Sequence, residues 1–233
     1  MANVITYARS DVGLVRTNNE DSVFTDDERG LAIVADGMGG HAAGEVASRL
    51  AVETISSKVV PANSFWPFHR VQRERDLVVG AIRAANERIR EAAAQDSALT
   101  GMGTTVVVLW ICRRRVHVAH VGDSRIYRFR QGGLVQLTRD HSWPGEDNAM
   151  RNVLTRAVGA EPGVDVDHRV LDIAGGDVFL LCSDGLTRTV EDGLMAQTLQ
   201  ECSTGDAASE RLIDLAKQQG APDNVTVALV YCK

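Results

Sequence analysis

The sequence predicts an α+β protein in which two antiparallel β-sheets pack face to face, with helices on the outside. The main evidence is a series of four strand-like segments, 103–112, 115–121, 125–130 and 134–138, with no helical pattern between them. The first segment is apolar at nearly every position from Thr104 to Cys112, so both of its faces must be covered. A second sheet covering one face and helices covering the other would meet this requirement.

The other elements follow from the spacing of apolar residues. Near the amino terminus, strand-like segments lie at about 4–9, 21–26 and 31–35. Two helical patterns, 43–59 and 76–94, come next, because apolar residues recur there at intervals of three and four. Loops are predicted at 61–67 and 140–152, strands at 168–172 and 178–183, a helix at 206–219 and a last strand at 224–232. No linker or repeat divides the chain, so residues 1–233 are predicted to form a single domain.

Composition excludes several classes of protein. The hydrophobic content of 44% and charged content of 24% are ordinary for a globular domain, and the net charge of −6 argues against a nucleic-acid binder. The four cysteines lack paired spacing, which suits a reducing compartment. The amino terminus lacks the pattern of a signal peptide, and no apolar run is long enough for a membrane span. We therefore expect a soluble, cytoplasmic protein.

Four aspartates lie at the ends of strand-like runs. Asp36 and Asp184 follow their strands, Asp223 precedes the last strand, and Asp123 lies in a turn between two strands. If the last strand is antiparallel to those ending at 35 and 183, three of these acids meet at one rim, and Asp123 can join them. A single Asp-Gly pair is more often an ordinary turn. Four clustered carboxylates, however, repel each other unless cations lie between them, so the set predicts a metal site. Oxygen ligands without a histidine cluster suit Mg²⁺ or Mn²⁺ rather than zinc.

Two neighbouring segments allow alternative interpretations. The glycine-rich segment 36–44 could cradle a phosphate in a nucleotide-binding protein, but it lacks the Gly-Lys-Ser/Thr ending of a P-loop and the G-x-G-x-x-G spacing. Nucleotide binding would also leave the other acids unexplained. Upstream, Arg16, Glu20 and Asp21 fall within six residues. They could form a solvated charged loop, or a phosphate-binding guanidinium beside a metal-facing acid.

Seven short motifs occur in the order typical of metal-dependent protein phosphatases of type 2C, also called the PPM family. They are Arg16-x-x-Asn-Glu20-Asp21, Asp36-Gly-Met-Gly-Gly-His41, Gly101-Met-Gly-Thr-Thr105, Val121-Gly-Asp-Ser-Arg125, Asn152-Val-Leu-Thr-Arg156, Ser183-Asp-Gly185 and Asp223-Asn224. The chain therefore resembles the bacterial branch of this family from about residue 5 to 232. The resemblance implies a four-layer α-β-β-α sandwich, with helix pairs outside the two sheets.

The resemblance also implies a binuclear manganese or magnesium centre. Asp36 matches the acid that bridges both ions, and Gly37 matches the residue whose carbonyl binds one of them. Asp184 and Asp223 match the acids that complete the other site. Asp123, together with Asp184, matches a weaker third metal site.

Three further residues match supporting positions. Glu20 matches an acid that reaches metal through water, Asp21 an acid that supports the network, and Arg16 the residue that holds the substrate phosphate. The implied function is a serine/threonine protein phosphatase, in which a hydroxide bridging two ions attacks phosphoserine or phosphothreonine. Expected partners are phosphorylated proteins, including a serine/threonine kinase and its substrates, and the chain is expected to be a monomer.

The chain departs from the family pattern at two places. Met38 stands where many eukaryotic members carry a histidine proposed to protonate the leaving group, and methionine cannot do this. His41, His120 and His141 are the candidates by sequence, although a structural role is favoured for each, and a metal-bound water could serve instead. The stretch 142–151 is shorter than the flap of bacterial relatives, which puts a third-metal ligand from the flap in doubt. The alternative function is a phosphatase-like module that binds phosphoproteins without hydrolysing them. Degenerate modules usually lose a metal-bridging acid, whereas this chain retains its set.

Overall fold

Two antiparallel sheets form the centre of the computed structural model, which describes residues 4–39, 42–59, 70–143 and 153–233. The first sheet contains, in spatial order, β1 (Val4–Asp11), β11 (Val225–Cys232), β10 (Val178–Cys182), β7 (Arg125–Arg130) and β8 (Gly133–Gln136). The second contains β2 (Asp21–Asp26), β3 (Leu31–Met38), β5 (Val106–Cys112), β6 (Arg115–Val121) and β9 (Asp167–Asp172), and the short β4 (Gly103–Thr104) pairs with the end of β3.

Helices cover the outer face of each sheet. The second sheet packs against α1 (Ala42–Lys58) and α2 (Arg70–Gln95), which is followed by a single 3₁₀ turn, Ser97–Leu99. The first sheet packs against α3 (Asp184–Thr187), α4 (Asp192–Glu201) and α5 (Gly205–Gln218). The four layers therefore run helix, sheet, sheet, helix, which confirms the predicted fold class.

Three apolar layers hold the sandwich together. Val34, Leu109 and Leu181 belong to the layer between the two sheets. Trp110, next to Leu109 along β5, points instead towards α1 and α2, because successive side chains of a strand face opposite sides. Leu180 likewise lies in the layer against α4 and α5. This alternation between two covered faces explains why the segment from Thr104 to Cys112 is apolar throughout.

Several predicted boundaries were wrong. β3 continues to Met38 because β4 pairs with its last two residues, so Asp36 lies within the strand rather than after it. The strand predicted over 103–112 is interrupted at Thr105. The helix predicted at 76–94 starts at Arg70, and α4 was not predicted. The strand predicted to reach residue 183 ends at Cys182, where the chain enters α3.

Other predictions concern segments only partly described. The loop at 61–67, most of the shortened flap and His41 lie outside the described residues. The four cysteines form no disulfide. Within the described ranges, no helix combines the length and apolar content needed to cross a membrane.

Candidate metal centre

Acids from both sheets meet at one end of the sandwich. Asp184 follows β10 and Asp223 lies two residues before β11; these strands are antiparallel neighbours, so their adjoining ends share one edge. Asp36 approaches from β3 in the other sheet. Asp123 lies in the turn where the chain passes from β6 in the second sheet to β7 in the first. These four acids line a cleft of about 810 Å³. The structure thus brings together the acids predicted to share a rim.

The same cleft is lined by three other residues singled out from the sequence. Arg16, Glu20 and Gly37 all contribute to its wall. Asp21 does not line it: its Oδ2 accepts a 2.8 Å hydrogen bond from the hydroxyl of Ser183, which directly follows β10 of the other sheet. Asp21 also lies opposite Asp36 in the β2–β3 register. It therefore connects the two sheets beside the cleft.

The backbone of Asp36 is fixed by the break between β4 and β5. The Asp36 amide donates to the Thr105 hydroxyl at 3.1 Å, and the Thr105 amide donates to the Asp36 carbonyl at 2.8 Å. The hydroxyls of Thr105 and Ser124 lie 2.7 Å apart, and Ser124 follows Asp123. The interruption at Thr105 thereby ties the Asp36 backbone to the turn that carries Asp123.

Gly37 occupies a position that has no room for a side chain. A Cβ at this position would lie 2.1 Å from the Gly44 carbonyl oxygen and 2.6 Å from the Glu20 carbonyl oxygen. The Gly37 amide donates to that Glu20 carbonyl at 3.1 Å. At Gly44, in the first turn of α1, a Cβ would lie 1.9 Å from Glu20 Oε2. The two glycines therefore let β3, α1 and Glu20 approach each other closely.

Asn224 holds the loop that carries Arg16 and Glu20. Its side-chain Nδ2 donates to the carbonyls of Val12 and Asn18, each at 2.9 Å. Its Oδ1 accepts from the Glu20 amide at 2.8 Å. The Asp223-Asn224 pair thus provides one acid in the cleft and one amide that orders the opposite wall.

Two arginines lie among the acids. Arg16 Nη2 donates to Asp223 Oδ2 at 2.9 Å, and the charge of Asp223 raises the pKa of Arg16. Arg188 forms an ion pair with the Asp184 carboxylate, and its Nη1 lies 3.7 Å from Asp223 Oδ2. Arg188 was not singled out from the sequence. The available signal was its spacing of four residues from Asp184, which places both side chains on one face of a helical turn.

The carboxyl groups of the centre hold protons more strongly than isolated ones. Burial raises the pKa of Asp36 well above its ordinary value, and repulsion from the neighbouring aspartates adds to this effect. Burial likewise raises the pKa of Asp184 to about 7 and that of Asp21 to about 6. The pKa of Asp123 is also raised, again mainly by burial. Burial and mutual repulsion therefore disfavour the charged form of these carboxyl groups, and bound cations would reverse this effect.

The donor atoms fit a hard divalent cation. Among the described residues, Oδ1 of Asp184 and Oδ1 of Asp21 are buried and have no hydrogen-bond partner, an arrangement that is unfavourable unless a cation or water satisfies them. Within the described ranges, no hydrogen bond or ion pair reaches the carboxylate of Asp36. Carboxylate and carbonyl oxygens are the ligands that Mg²⁺ and Mn²⁺ prefer.

Two of the three histidines considered as proton donors lie away from the described part of the cleft; the third, His41, is outside the described residues. His120 and His141 are buried, stack with ring centroids 4.7 Å apart, and do not line the described part of the cleft. Burial lowers the pKa of both. Together with Asp167 they place three ligand atoms within 4.8 Å of one another, but Arg156 already donates to Asp167 at 2.8 Å. Their contacts are those of a structural network.

Comparison with known proteins agrees with this geometry. Residues 15–219 match the family model described as Protein phosphatase 2C. The chain is 38% identical to the serine/threonine protein phosphatase PstP of Mycobacterium tuberculosis, over 97% of this chain and 45% of that protein's length. It thus spans less than half of PstP. It is 37% identical to the serine/threonine phosphatase stp of Listeria innocua, over 95% of this chain and 93% of that protein.

Solved structures share the fold over the whole chain. The structure described as PppA, a key regulatory component of T6SS in Pseudomonas aeruginosa, is similar with a TM-score of 0.90 and 36% identity, covering 100% of this chain and 99% of that one. A PstP catalytic domain in complex with two manganese ions has a TM-score of 0.84 and 36% identity, with 98% and 97% of the two chains covered. The chain belongs to the protein phosphatase 2C family of metal-dependent serine/threonine protein phosphatases.

Proposed function

We propose that the cleft binds two Mn²⁺ or Mg²⁺ ions and hydrolyses phosphoserine and phosphothreonine in proteins. The observation that carries this proposal is the meeting of carboxylates from both sheets in one cleft, where Asp184 Oδ1 is buried and has no hydrogen-bond partner among the described residues. Asp36 would contact both ions, and the Gly37 carbonyl one of them. Asp184 and Asp223 would hold the other ion. Glu20 would act through water.

Two such ions lower the pKa of bound water and neutralise charge on a phosphoryl group, so no protein nucleophile is needed. The chain's own residues would bind and orient the substrate. Arg16 is half exposed at the cleft, and its planar guanidinium can hold two phosphate oxygens at once. Its present partner, Asp223, would release it on taking a metal ion. Asp21 and Asn224 would keep the acids and the Arg16 loop in register through the hydrogen bonds described above.

The physiological partners belong to the same proposal. We infer that the protein acts as a cytoplasmic, single-domain monomer, and that it opposes a serine/threonine kinase by dephosphorylating the kinase or its substrates. Support comes from relatives named as serine/threonine phosphatases, including the protein phosphatase PhpP of Streptococcus pneumoniae. The name of the similar P. aeruginosa structure links that protein to a secretion system, which makes a secretion-related kinase one candidate.

Phosphate release from a phosphothreonine peptide tests the proposal. We expect turnover with Mn²⁺, its loss in EDTA and its recovery when Mn²⁺ is restored in excess. Asp36→Asn is the matched inactive variant. Undiminished turnover in EDTA would contradict a metal-dependent reaction. Peptide binding in Mn²⁺ without any phosphate release would instead favour the phosphoprotein-binding module.

A further inference from the structure

Gly122, the residue before Asp123, has both of its backbone polar groups bonded to one residue, His141. The Gly122 amide donates to His141 Nδ1 at 3.2 Å, and the His141 amide donates to the Gly122 carbonyl at 3.0 Å. The φ of Gly122 is +102°, a conformation that residues with a side chain rarely adopt. His141 therefore fixes the orientation of the turn that leads into Asp123.

The turn held by His141 also packs against the support of Asp36. A Cβ on Gly122 would lie 2.6 Å from the Thr105 Cβ, so Gly122 lies directly against that threonine. Thr105 in turn bonds to both backbone groups of Asp36, through its hydroxyl and its amide. Contacts therefore continue from His141 through Gly122 to the backbone of Asp36.

On its other side, His141 holds a wall of the cleft. The Thr155 amide donates to the His141 carbonyl at 2.8 Å, and Thr155 lines the cleft. His141 Nε2 lies 3.4 Å from Asp167 Oδ2 and 3.4 Å from Nη1 of Arg156, which also lines the cleft. His141 itself is 6% exposed and does not contribute to the described lining. It therefore joins the acid-bearing turn to the cleft wall from behind.

The two ring nitrogens of His141 have different tasks. Nδ1 accepts from an amide and so carries no proton, which places the proton of the neutral ring on Nε2, towards Asp167. The backbone bonds of His141 would survive a substitution, whereas the bond from the Gly122 amide requires a side-chain acceptor at that point. Asparagine places an oxygen near the position of Nδ1, and glutamine extends its amide to the position of Nε2. The two amides can therefore separate the two tasks.

We propose that His141 is a positioning residue for the metal centre, acting through the hydrogen bond from the Gly122 amide to its Nδ1. This bond keeps Asp123 and the Asp36 backbone in a fixed relation, so that the acids are in place before ions arrive. The inference rests on the proposed function, since it names a residue that supports the same centre. His141 acts here without contacting metal or substrate and without transferring a proton.

Steady-state kinetics of two variants, measured where both are folded, test this inference. His141→Asn keeps the acceptor and should keep most of kcat and of the Mn²⁺ affinity, read as the Mn²⁺ concentration that gives half-maximal rate. His141→Gln lacks the acceptor, so kcat should fall by roughly 10- to 100-fold and that Mn²⁺ concentration should rise.

His117→Asn is the matched control. His117 is also fully buried and uses both ring nitrogens, at 3.1 Å from His168 and 3.2 Å from Glu74, but it does not line the cleft. This variant should unfold at a lower temperature and leave the Mn²⁺ dependence of the rate unchanged. A residue with a purely structural role would behave in the same way, which is what distinguishes it from His141.

The outcomes separate this inference from the proposed function. Equal kinetics of the Asn and Gln variants, whether both normal or both impaired, would overturn the inference. An impaired His141→Asn beside a normal His141→Gln would also overturn it, because the Nε2 contacts would then be the important ones. Absence of Mn²⁺-dependent turnover in the unchanged protein would instead overturn the proposed function.

Nitrogen NMR of the unchanged protein decides if His141→Gln fails to fold. Mg²⁺ is used for this measurement because it does not broaden the signals as Mn²⁺ does. We expect the His141 ring to carry a proton on Nε2 and none on Nδ1. A proton on Nδ1 would show that the bond from the Gly122 amide is absent and would overturn the inference.

Discussion

Arg16 donates a 2.9 Å hydrogen bond to the carboxylate of Asp223 across the mouth of the acidic cleft. The residue proposed to hold phosphate is therefore bonded to a residue proposed to hold metal. A metal ion at Asp223 would compete for this carboxylate and release the guanidinium towards a phosphate. Metal binding and substrate binding would then favour one another, because each removes the other's competitor.

Replacing Arg16 tests its role with substrate. We expect Arg16→Ala to lower kcat/KM for a phosphothreonine peptide by roughly 10- to 150-fold, the loss of one hydrogen-bonded charge contact. The loss should appear mainly in KM if the contact is equally strong in ground and transition states. Arg9→Ala is the control, because Arg9 makes an equally short pair with Asp206 outside the cleft. Steady-state kinetics with unchanged KM and kcat would exclude Arg16 from phosphate binding.

Removing a charge from the centre should separate stability from activity. In the metal-free protein, Asp36→Asn removes a carboxyl group whose charged form is disfavoured by burial and by neighbouring acids, so we expect a gain of roughly 0.5–2 kcal/mol in unfolding free energy. Turnover with Mn²⁺ should fall by about 100-fold or more, since the lost charge would contact both ions. Thermal unfolding in EDTA and phosphate-release rates measure the two effects.

Asp177→Asn is the matched comparison, because it changes a buried aspartate whose carboxylate has hydrogen-bond partners. Asp177 is buried, but its carboxylate accepts from Arg130 at 2.6 Å and from the Ala174 amide at 2.9 Å. We expect this variant to lose stability with little change in kcat. A destabilised Asp36→Asn protein would contradict the interpretation that the acids of the centre repel each other.

The acids of the metal-free centre should contribute less to stability as pH rises. Burial raises the pKa of Asp184 to about 7 and that of Asp21 to about 6, from an ordinary value of 3.8. The folded protein therefore retains protons that the unfolded chain has already released, and the stability they provide is complete below pH 3.8 and lost as pH rises through 6 and 7. In EDTA, the stability of the unchanged protein relative to Asp184→Asn should therefore decrease between about pH 4 and 7. The opposite contribution of buried histidines such as His120 and His141, whose pKa values are lowered, cancels in this comparison.

Two measurements check the origin of that pH effect. Excess Mn²⁺ should remove most of the decrease, because bound cations take the place of the protons. Asp184→Asn in EDTA should flatten the profile, because its amide does not titrate. A stability difference between the unchanged protein and Asp184→Asn that stays constant over this pH range would show that Asp184 is not held protonated.

Two glycines next to aspartates should respond oppositely to the same substitution. A Cβ on Gly185 would lie 2.0 Å from the Asn224 carbonyl oxygen, so Gly185→Ala must push β11 away from α3. We expect a loss of roughly 1–3 kcal/mol in unfolding free energy. Gly193 in α4 has nothing within 4 Å of its added Cβ, so Gly193→Ala should be neutral or stabilising by up to about 1 kcal/mol. Denaturant unfolding of both variants checks this, and equal effects would contradict the close approach of α3 to the Asn224 backbone.

Strand periodicity was sufficient to predict the layers and the rim. The neighbouring positions of Asp184 and Asp223 follow from an antiparallel β10–β11 pair, which the apolar runs indicate. The approach of Asp36 from the other sheet depends on how the two sheets pack. This packing cannot be predicted from a local sequence pattern. The position of Asp36 within its strand was also missed, because the pairing with β4 involves residues far along the chain.

The missed elements have local causes. Asp192 and Gly193 resemble a turn, although they begin α4, whose apolar residues pack on the first sheet. Arg188 was overlooked because its contact with Asp184 exists only if residues 184–187 form a helical turn. Asn224 belongs to a recognisable motif, but its three hydrogen bonds to the 12–20 loop require the folded chain.

The layer between the sheets has a role beyond stability. Val34 lies in that layer two residues before Asp36, and Leu181 lies in it three residues before Asp184. The thickness of this apolar layer therefore acts as a spacer that sets how far apart the acids of the two sheets stand. Adding or removing one methylene at Val34 or Leu181 would change the distance between the acids of the two sheets, although neither side chain lines the cleft. The packing of apolar side chains between the sheets would thus help to set the distance between the bound ions.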